Sequence, residues 1–436
     1  MTDILDLQGW TVIDKRMSGG EYEIEAEYTV QPHACIKCGV VSNLYKHGTK
    51  PIVYRDSPIR GNHVRIIANV QRYKCRECGG TFIQPLGGIH DDMRMTTRCV
   101  EYIQSQCMRD TFLRIADHVG CDDKTIRNVA GDYIDQLNAD YQPWLPEWLG
   151  IDETQIDGSL RCILTDVGNR VPIDMLPNRD KGTVINWLHH FRNRGVVKGL
   201  AMDMWKPYKD AARIVFPNLP IIIDKFHVVR MANIAMDDIR IQLAKEQPKA
   251  VGKDWMRRKS LLRLRHKKLD EKGRFSVDMW LDNEPDVAKA YWLKEAFYDI
   301  YDASSKADAA ALLDAWRESI PANMKKGKKS FAPLLTATKN WREEILAFFD
   351  YPISNGYTEA LNGVAKVVNR QGRGYSFEVL RARVLFGRKP KKIDKEVEIN
   401  KRCDSCLGLF AETFEQILGR KHYNICAACF DRFHTQ

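Results

Sequence analysis

Apolar positions recur along the chain with two different periods, and the periods divide it into stretches. Between Cys38 and Cys75 the run VYRDSPIRGNHVRIIANVQRYKC alternates as β-strands with one covered face do. From about 93 to 138 the spacing becomes helical. In FLRIADHVGCDDKTIRNVAGDYI, the residues Leu113, Ile115, Ala116, Val119, Ile126 and Val129 are expected to face a core. Gly120 permits a tight turn between two helices there, and Asp122 or Asp123 is expected to cap the second. Two helices joined in this way read as a helix-turn-helix. A Pro/Trp-rich connector, YQPWLPEW, closes the stretch.

From about 148 the period shortens again. WLGIDET, RCILTDV and RVPIDML read as three strands, followed by a helix from near Lys181, a fourth strand in VKGLAMDM, a helix after Pro207, and a fifth strand in PIIIDKFHVV. Three early strands and then alternating helix and strand predict an α/β protein with an RNase H-like catalytic core. In such a core the first and fourth strands lie side by side, so Asp152 and Asp203, which close the first and fourth apolar runs, converge. Residues 231–345 read as a long, charge-rich helical insertion, and the core resumes at 346–386.

A third acid, Glu359 in SNGYTEALNG, lies beside a predicted helix in the resumed core. Three carboxylates from distant segments suit Mg²⁺ or Mn²⁺, which take hard oxygen ligands and leave room for phosphate oxygens and a nucleophile. With two ions, Asp152 is expected to hold both, Asp203 one and Glu359 the other, the arrangement for in-line displacement at a phosphodiester. The plainer reading is that Asp152 and Asp203 cap the elements that follow them. Asp224 and His227, in DKFHVVRMAN, are expected to line the same cleft at the end of the fifth strand. Asp224 competes with Asp203 as the metal ligand, and His227 is either a support for water or a leaving 3′-oxygen, or a structural hydrogen-bonder.

Composition changes the picture in two places. The 67 Lys and Arg against 57 Asp and Glu leave a formal balance of +10, which favours a polyanionic partner. The excess is concentrated in WMRRKSLLRLRHKKL and NMKKGKKS within the helical insertion, where it is expected to neutralise phosphates or to form a solvated face. Trp255 and Trp280 in the same region read as core residues. No apolar run approaches the length of a membrane span, and the first residues are too acidic and interrupted for a secretory signal, so a cytoplasmic, DNA-associated protein is expected.

Eight of the 12 cysteines form CxxC pairs: Cys35/Cys38 with Cys75/Cys78, and Cys403/Cys406 with Cys426/Cys429. Two such pairs at each end predict two structural Zn²⁺ sites, each with four thiolates and no open coordination position. The first belongs to a β-rich module over 1–92, whose Arg55, Arg60, Arg65, Arg72 and Lys74 either touch DNA phosphates or are solvated strand edges. The second, over 395–436, predicts a C-terminal zinc ribbon or knuckle around a short helix in AETFEQILG. The helix-turn-helix over 93–140 offers Lys124, Thr125, Arg127 and Asn128 to DNA from its second helix.

Taken in order, the CxxC/CxxC module, the helix-turn-helix, IDE at 151–153, the DMW segment, DKFHVVRMAN and NGYTEALNGVAKVVNRQGRGYSF resemble a bacterial insertion-sequence DDE transposase of the ISL-three family, over residues 30–385. The resemblance implies Asp152, Asp203 and Glu359 as the catalytic triad. It places Asn355, Asn362, Lys366 and Arg370 on the helix and loop that approach DNA. It further implies binding to double-stranded DNA with terminal inverted repeats and to target DNA, strand transfer after cleavage, and a homo-oligomer, a dimer on DNA. The second cysteine quartet is not part of the resemblance. Two other classes fit many of the same residues: a catalytically inactive DNA-binding regulator, and a structure-selective DNA nuclease.

Overall fold

A computed structural model of the chain describes residues 4–387, apart from residues 42, 247, 249–251, 253–254, 256–258, 328 and 373, together with four short strands near the C-terminus. Residues 1–388 form one compact unit and 389–436 another.

The N-terminal part is a sheet of β1 (Trp10–Ser18), β2 (Glu21–Tyr28), β3 (Leu44–Ile59), β4 (Asn62–Cys75) and β5 (Thr81–Ile83). Its order is β1-β2-β4-β3, with β5 also on β4. Alternation buries one face: Ile24 is paired with Ile66 and Ala26 with Ala68, and all four are buried. The arginines of this sheet divide. Arg55 and Arg65 face each other across β3 and β4, and the like charges are neutralised by Glu21 and Glu23 of β2, on which they form ion pairs. Arg72 is exposed.

Three helices follow, α1 (Thr97–Cys107), α2 (Phe112–Val119) and α3 (Asp123–Asp140). Thr96, Thr111 and Asp122 cap them through side-chain oxygens that accept from Cys99, Arg114 and Thr125 backbone N–H groups. Gly120 ends α2 at φ 75°, a left-handed conformation that favours glycine. One expectation fails here: Leu113 is 74% exposed. The buried stripe of α2 is Phe112, Ile115, Ala116 and Val119, positions i, i+3, i+4 and i+7, and Leu113 lies off it.

The central sheet contains β6 (Trp148–Ile156), β7 (Ser159–Asp166), β8 (Val171–Leu176), β9 (Gly199–Met202) and β10 (Ile221–Ile223), in the order β10-β9-β6-β7-β8. β6 pairs antiparallel with β7 and parallel with β9, and β9 parallel with β10. Between the strands lie α4 (Lys181–His189) and α5 (Lys206–Val215), and α6 (Lys225–Glu246) leaves the last of them.

The two faces of this sheet have different covers. Ile151, Leu164, Ile173, Met202 and Ile223 pack with α4, α5, α6 and the inserted helices in one apolar core. Ile156, Ile163 and Met175, on the other face, share a second core with α1, α2, α3 and two late helices, α12 (Gly356–Gln371) and α13 (Phe377–Phe386). The helix-turn-helix therefore has no separate core. The Phe112 N–H donates to the Tyr375 hydroxyl at 3.2 Å, and Arg383 donates to the Asp110 carbonyl.

The insertion is helical as expected: after α6 come α7 (Glu271–Asn283), α8 (Pro285–Ile300), α9 (Lys306–Ser319), α10 (Ala332–Asn340) and α11 (Arg342–Leu346). Its basic run divides: Arg265 is half-buried, while Arg263, Lys267 and Lys268 are exposed. Arg263 pairs with Asp237, Arg265 with Asp299 and Asp302, and Lys267 with Asp302, all at 2.6–2.8 Å. These pairs tie helices together, and Arg265 is held by them as a structural charge, whereas Arg263 and Lys267 keep an exposed face beside their partners. Arg257 and Arg258 lie outside the described residues. Lys325, Lys326 and Lys329 are exposed, and Trp255 is buried against Trp280.

In the C-terminal unit, β11 (Lys401–Arg402) pairs with β12 (Leu409–Phe410), and β13 (Phe414–Leu418) with β14 (Lys421–Ile425), both antiparallel. The helix expected in AETFEQILG is thus a strand. Leu418 pairs with Lys421, the spacing of a tight hairpin. The four residues expected to hold the second Zn²⁺, Cys403, Cys406, Cys426 and Cys429, all lie outside the described residues. Among the described residues no helix is long and apolar enough to cross a membrane.

Candidate active site

Strand register brings the acids together. Ile151 of β6 is level with Met202 of β9, and Met202 with Ile223 of β10. The residue that follows each of these is acidic: Asp152 within β6, and Asp203 and Asp224 just past the ends of β9 and β10. Because successive side chains alternate and the preceding apolar residues enter the first core, the three acids turn to the opposite face, the one that α12 covers. Asp152 does not close its strand, as the apolar run had indicated. It lies midway along β6, where pairing with β9 has ended and pairing with β7 continues to Ile156.

α12 reaches this row because Gly150 lets it come close. A Cβ on Gly150 would lie 2.6 Å from Thr358 Oγ1 and 2.7 Å from Val167 Cγ2, contacts that real Cβ atoms do not make. In the space so kept, Thr358 and Thr165 share a hydroxyl hydrogen bond of 2.7 Å. Asn355 pins the start of the helix: its amide donates to the Ile151 carbonyl and its backbone N–H to Asp224 Oδ2, both at 3.1 Å. Glu359, Asn362, Lys366 and Arg370 then fall on one stripe of α12 at helical spacing.

This geometry separates residues that sequence reasoning had grouped. Asn355 is fully buried and bonded internally, so its expected contact with DNA gives way to a role in docking α12. Asn362 also turns inward, donating to Asp152 Oδ2 at 2.6 Å and to the Glu153 carbonyl at 3.3 Å. Lys366 and Arg370 are exposed. Asp224 is 1% exposed; one carboxylate oxygen accepts from the Phe226 N–H and the other from that of Asn355. It fastens α6 and α12, while Asp203 faces the cavity. His227 is not at a strand end: β10 stops at Ile223, and His227 lies in the first turn of α6.

Asp152, Glu153, Asp203, His227, Arg230, Glu359, Asn362 and Lys366 line a cavity of about 270 Å³. His227 bridges two of the acids, with Nδ1 2.9 Å from Asp203 Oδ1, at ion-pair distance but off hydrogen-bond alignment, and Nε2 3.5 Å from Glu359 Oε1. Burial alone lowers its basicity, but the Asp203, Glu359 and Asp152 carboxylates outweigh this and raise its pKa to about 9. Burial and the Asp203 charge push Asp152 up to about 8, against the Glu153 N–H that donates to it. Glu359 is raised by burial, against the nearby charge of His227.

The donor set fits divalent metal. Crowded carboxylates retain protons when no cation offsets their repulsion, and hard oxygen donors are what Mg²⁺ and Mn²⁺ take. Among the described residues only the Cys35 quartet brings three or more ligand atoms within 4.8 Å of one another. The acids are spread around a wider cavity with His227 between two of them. Arg230, Glu153 and Gly150 were not singled out as site residues from sequence. The signal for Arg230 was its place three residues after His227, legible once the helix start was known.

The Cys35 quartet is built from twin turns. Gly39 and Gly79 donate back to the carbonyls of Cys35 and Cys75, each in the left-handed region. Cys35 and Cys78, and likewise Cys38 and Cys75, have sulfurs 3.8 Å apart. That is about the edge of a tetrahedron with Zn–S bonds of roughly 2.3 Å. Despite desolvation, backbone N–H groups of Lys37 and Cys38 hold the Cys35 thiol below the usual thiol range, at the expense of Cys38, which shares the site and is pushed up.

Of the residues expected on DNA from α3, Lys124, Arg127 and Asn128 are exposed. Thr125 is half-buried and its hydroxyl donates to the capping Asp122. Thr125, Arg127 and Asn128 border a groove of about 760 Å³ whose other wall includes Arg55 and Arg94.

Comparison with protein families identifies two segments of the chain. The transposase model of the ISL3 family matches residues 149–384, more than half of the chain. The model for the zinc-finger of transposase IS204/IS1001/IS1096/IS1165 matches residues 31–78, which contain the Cys35 quartet. No curated protein matches the chain. The sheet that gathers the acids and the cysteine knuckles that precede it fall in the two matched segments, and the chain belongs to the ISL3 family of DDE transposases.

Proposed function

We propose that this transposase binds the terminal inverted repeats of its element, cleaves DNA there and transfers the freed strand to a target, with Asp152, Asp203 and Glu359 as the catalytic carboxylates. The observation that carries the proposal is the level of Ile151 with Met202, which puts Asp152 and Asp203 side by side under Glu359. The β10-β9-β6-β7-β8 order supports reading the sheet as an RNase H-like core.

Asp152, Asp203 and Glu359 would hold divalent metal, which when bound would supply activation of the attacking oxygen and charge neutralisation at the leaving one. The chain's own contribution is placement. Asn362 and the Glu153 N–H each occupy one oxygen of Asp152, fixing the carboxylate plane. His227 spans Asp203 and Glu359 and keeps them apart. Lys366 and Arg230, at the cavity wall, offer positive charge to phosphate oxygens. Hydrolysis at an element end leaves a 3′-hydroxyl, and the same carboxylates serve when that hydroxyl attacks a target phosphodiester. The protein acts as a dimer on DNA, with α3 reading the ends. A second Zn²⁺ on Cys403, Cys406, Cys426 and Cys429 belongs to the same reading, and the paired CxxC spacing supports it.

The test is a cleavage and joining assay on DNA carrying the ends of the element, with Mg²⁺ and with Asp152→Asn alongside. Nicked ends and joined products, absent with the variant, are expected. Tight end binding without product under Mg²⁺ or Mn²⁺ would turn the reading towards a DNA-binding regulator.

A further inference from the structure

α6 leaves the acid cavity in the direction of the insertion, and the side chains along it change character. His227 faces the acids. Arg230, one turn on, lines the acid cavity and also a second cavity of about 270 Å³, shared with Asn233, Ile234 and Arg263. The two cavities are therefore neighbours, and Arg230 is the wall between them.

The wall of the second cavity is mostly apolar, made by Ile234 and the stems of Arg230 and Arg263, with the polar ends of Arg230, Asn233 and Arg263 as its hydrogen-bonding groups. Tyr298 donates to Asn233 Oδ1 at 2.7 Å, so the function Asn233 has left for a ligand is its amide N–H groups. Arg263 gives one nitrogen to Asp237 and keeps its side chain 51% exposed. Arg230 has no carboxylate within ion-pair distance among the described residues, unlike Arg263, Arg265 and Lys267. Arg230 is near enough to Glu359 for its charge to act on that carboxylate, and Arg263 is paired with Asp237, but both guanidiniums and the Asn233 amide keep further N–H groups for a ligand made of acceptors, and exposed Ile234 adds an apolar contact. A sugar-phosphate strand has that chemistry.

We propose that Arg230 is a phosphate-positioning residue, and that the DNA strand next to the scissile phosphate runs along α6 from His227 past Arg230 to Arg263. Seven residues of α-helix rise about 10 Å. At about 3.4 Å of duplex rise per nucleotide, the track holds about three nucleotides. The inference rests on reading the acid cavity as the cleavage site.

The experiment uses the full chain, Arg230→Ala and Arg230→Lys, on element-end DNA whose cut position has been mapped with the unaltered protein. Binding is followed between about 50 and 200 mM salt, the range over which phosphate contacts weaken steeply. Single phosphates within about three nucleotides of the cut are replaced by uncharged methylphosphonates. The expected results are a salt slope lower by about one for Arg230→Ala, a loss of affinity from one particular methylphosphonate with the unaltered protein, and no further loss from it with Arg230→Ala. Arg230→Lys is expected to restore the slope, because it keeps the charge. If Arg230→Ala keeps the slope and stays as sensitive to every methylphosphonate as the unaltered protein, the inference is overturned and the cleavage site stands. Cleavage that persists in Asp152→Asn overturns the cleavage site and the inference with it. If Arg230→Ala does not fold, Arg230→Gln takes its place in the same series, and a salt slope and methylphosphonate sensitivity equal to those of the unaltered protein overturn the inference.

Discussion

Asn362 donates to Asp152 at 2.6 Å and so joins a helix that follows the insertion to a strand that precedes it. The bond fixes one carboxylate oxygen and leaves the remaining lone pairs for the cavity. Asn362→Ala is expected to lower the cleavage rate by about 10–100-fold, the usual effect of losing a partner that orients a metal ligand. Asp152→Asn and Glu359→Gln are expected to lower it on the order of a thousandfold or more, with end binding retained in all three. Single-turnover cleavage beside a binding titration checks this; equal loss of binding would sink the separation of roles.

The protons of the site predict how metal and pH interact. Asp152, raised by burial and Asp203 to about 8, has an ordinary value of 3.8, and His227, raised by its carboxylates against burial to about 9, has one of 6.5. Both folded values are raised, so each proton stabilises the metal-free fold below the ordinary value, and that stability is lost as pH rises through about 8 and about 9. Metal needs Asp152 without its proton. Mg²⁺ or Mn²⁺ is therefore expected to raise the melting temperature more at pH above 8 than at acid pH, and to release protons near neutrality. Titration calorimetry in buffers of different ionisation heat measures the release, and none at neutral pH would contradict the assignment.

Gly150→Ala is expected to cost about 1–3 kcal/mol and to reduce cleavage, because the new methyl meets Thr358 at 2.6 Å and forces α12 from the sheet. Gly182→Ala, in α4 with nothing near its Cβ, is the comparison and is expected to be neutral or stabilising by up to about 1 kcal/mol. Denaturant melts of both variants measure the difference.

Arg265 anchors rather than binds. It forks onto Asp299 and Asp302, and its guanidinium, with Lys267, holds the Asp302 carboxyl down to about 2. Arg265→Ala is expected to lower the melting temperature and leave the salt dependence of DNA binding unchanged. A fall in that slope would assign it to DNA after all.

Cys75→Ser is expected to remove one Zn²⁺ per chain and to loosen the sheet of β3 and β4, since Cys75 ends β4 and is fully buried. Metal analysis of purified protein beside thermal melts tests both parts.

Much of this was legible in the sequence because it depends on period and spacing. The five strands of the central sheet, the Gly120 turn, the Asp122 cap and the first cysteine quartet were each readable from local pattern. What was not readable depends on partners far away in the chain. Nothing near Arg265 shows that Asp299 and Asp302 await it, and nothing near Asn355 shows that Ile151 and Asp224 do. The choice between Asp203 and Asp224 was open for the same reason: both follow apolar runs, and only the docking of α12 shows which one is covered.

The shared core beneath the helix-turn-helix has a consequence for exchange between relatives. Ile163 and Met175 of the acid-bearing sheet, Leu361 of α12 and Ile126 of α3 belong to one packed cluster. A graft of residues 97–140 from another family member would thus carry half of a jigsaw whose other half supports Asp152 and Glu359. Whatever the exchanged helices bind, their packing and the chemistry beneath them are inherited together or must be repaired together, and α12 and α13 are where such repairs would fall.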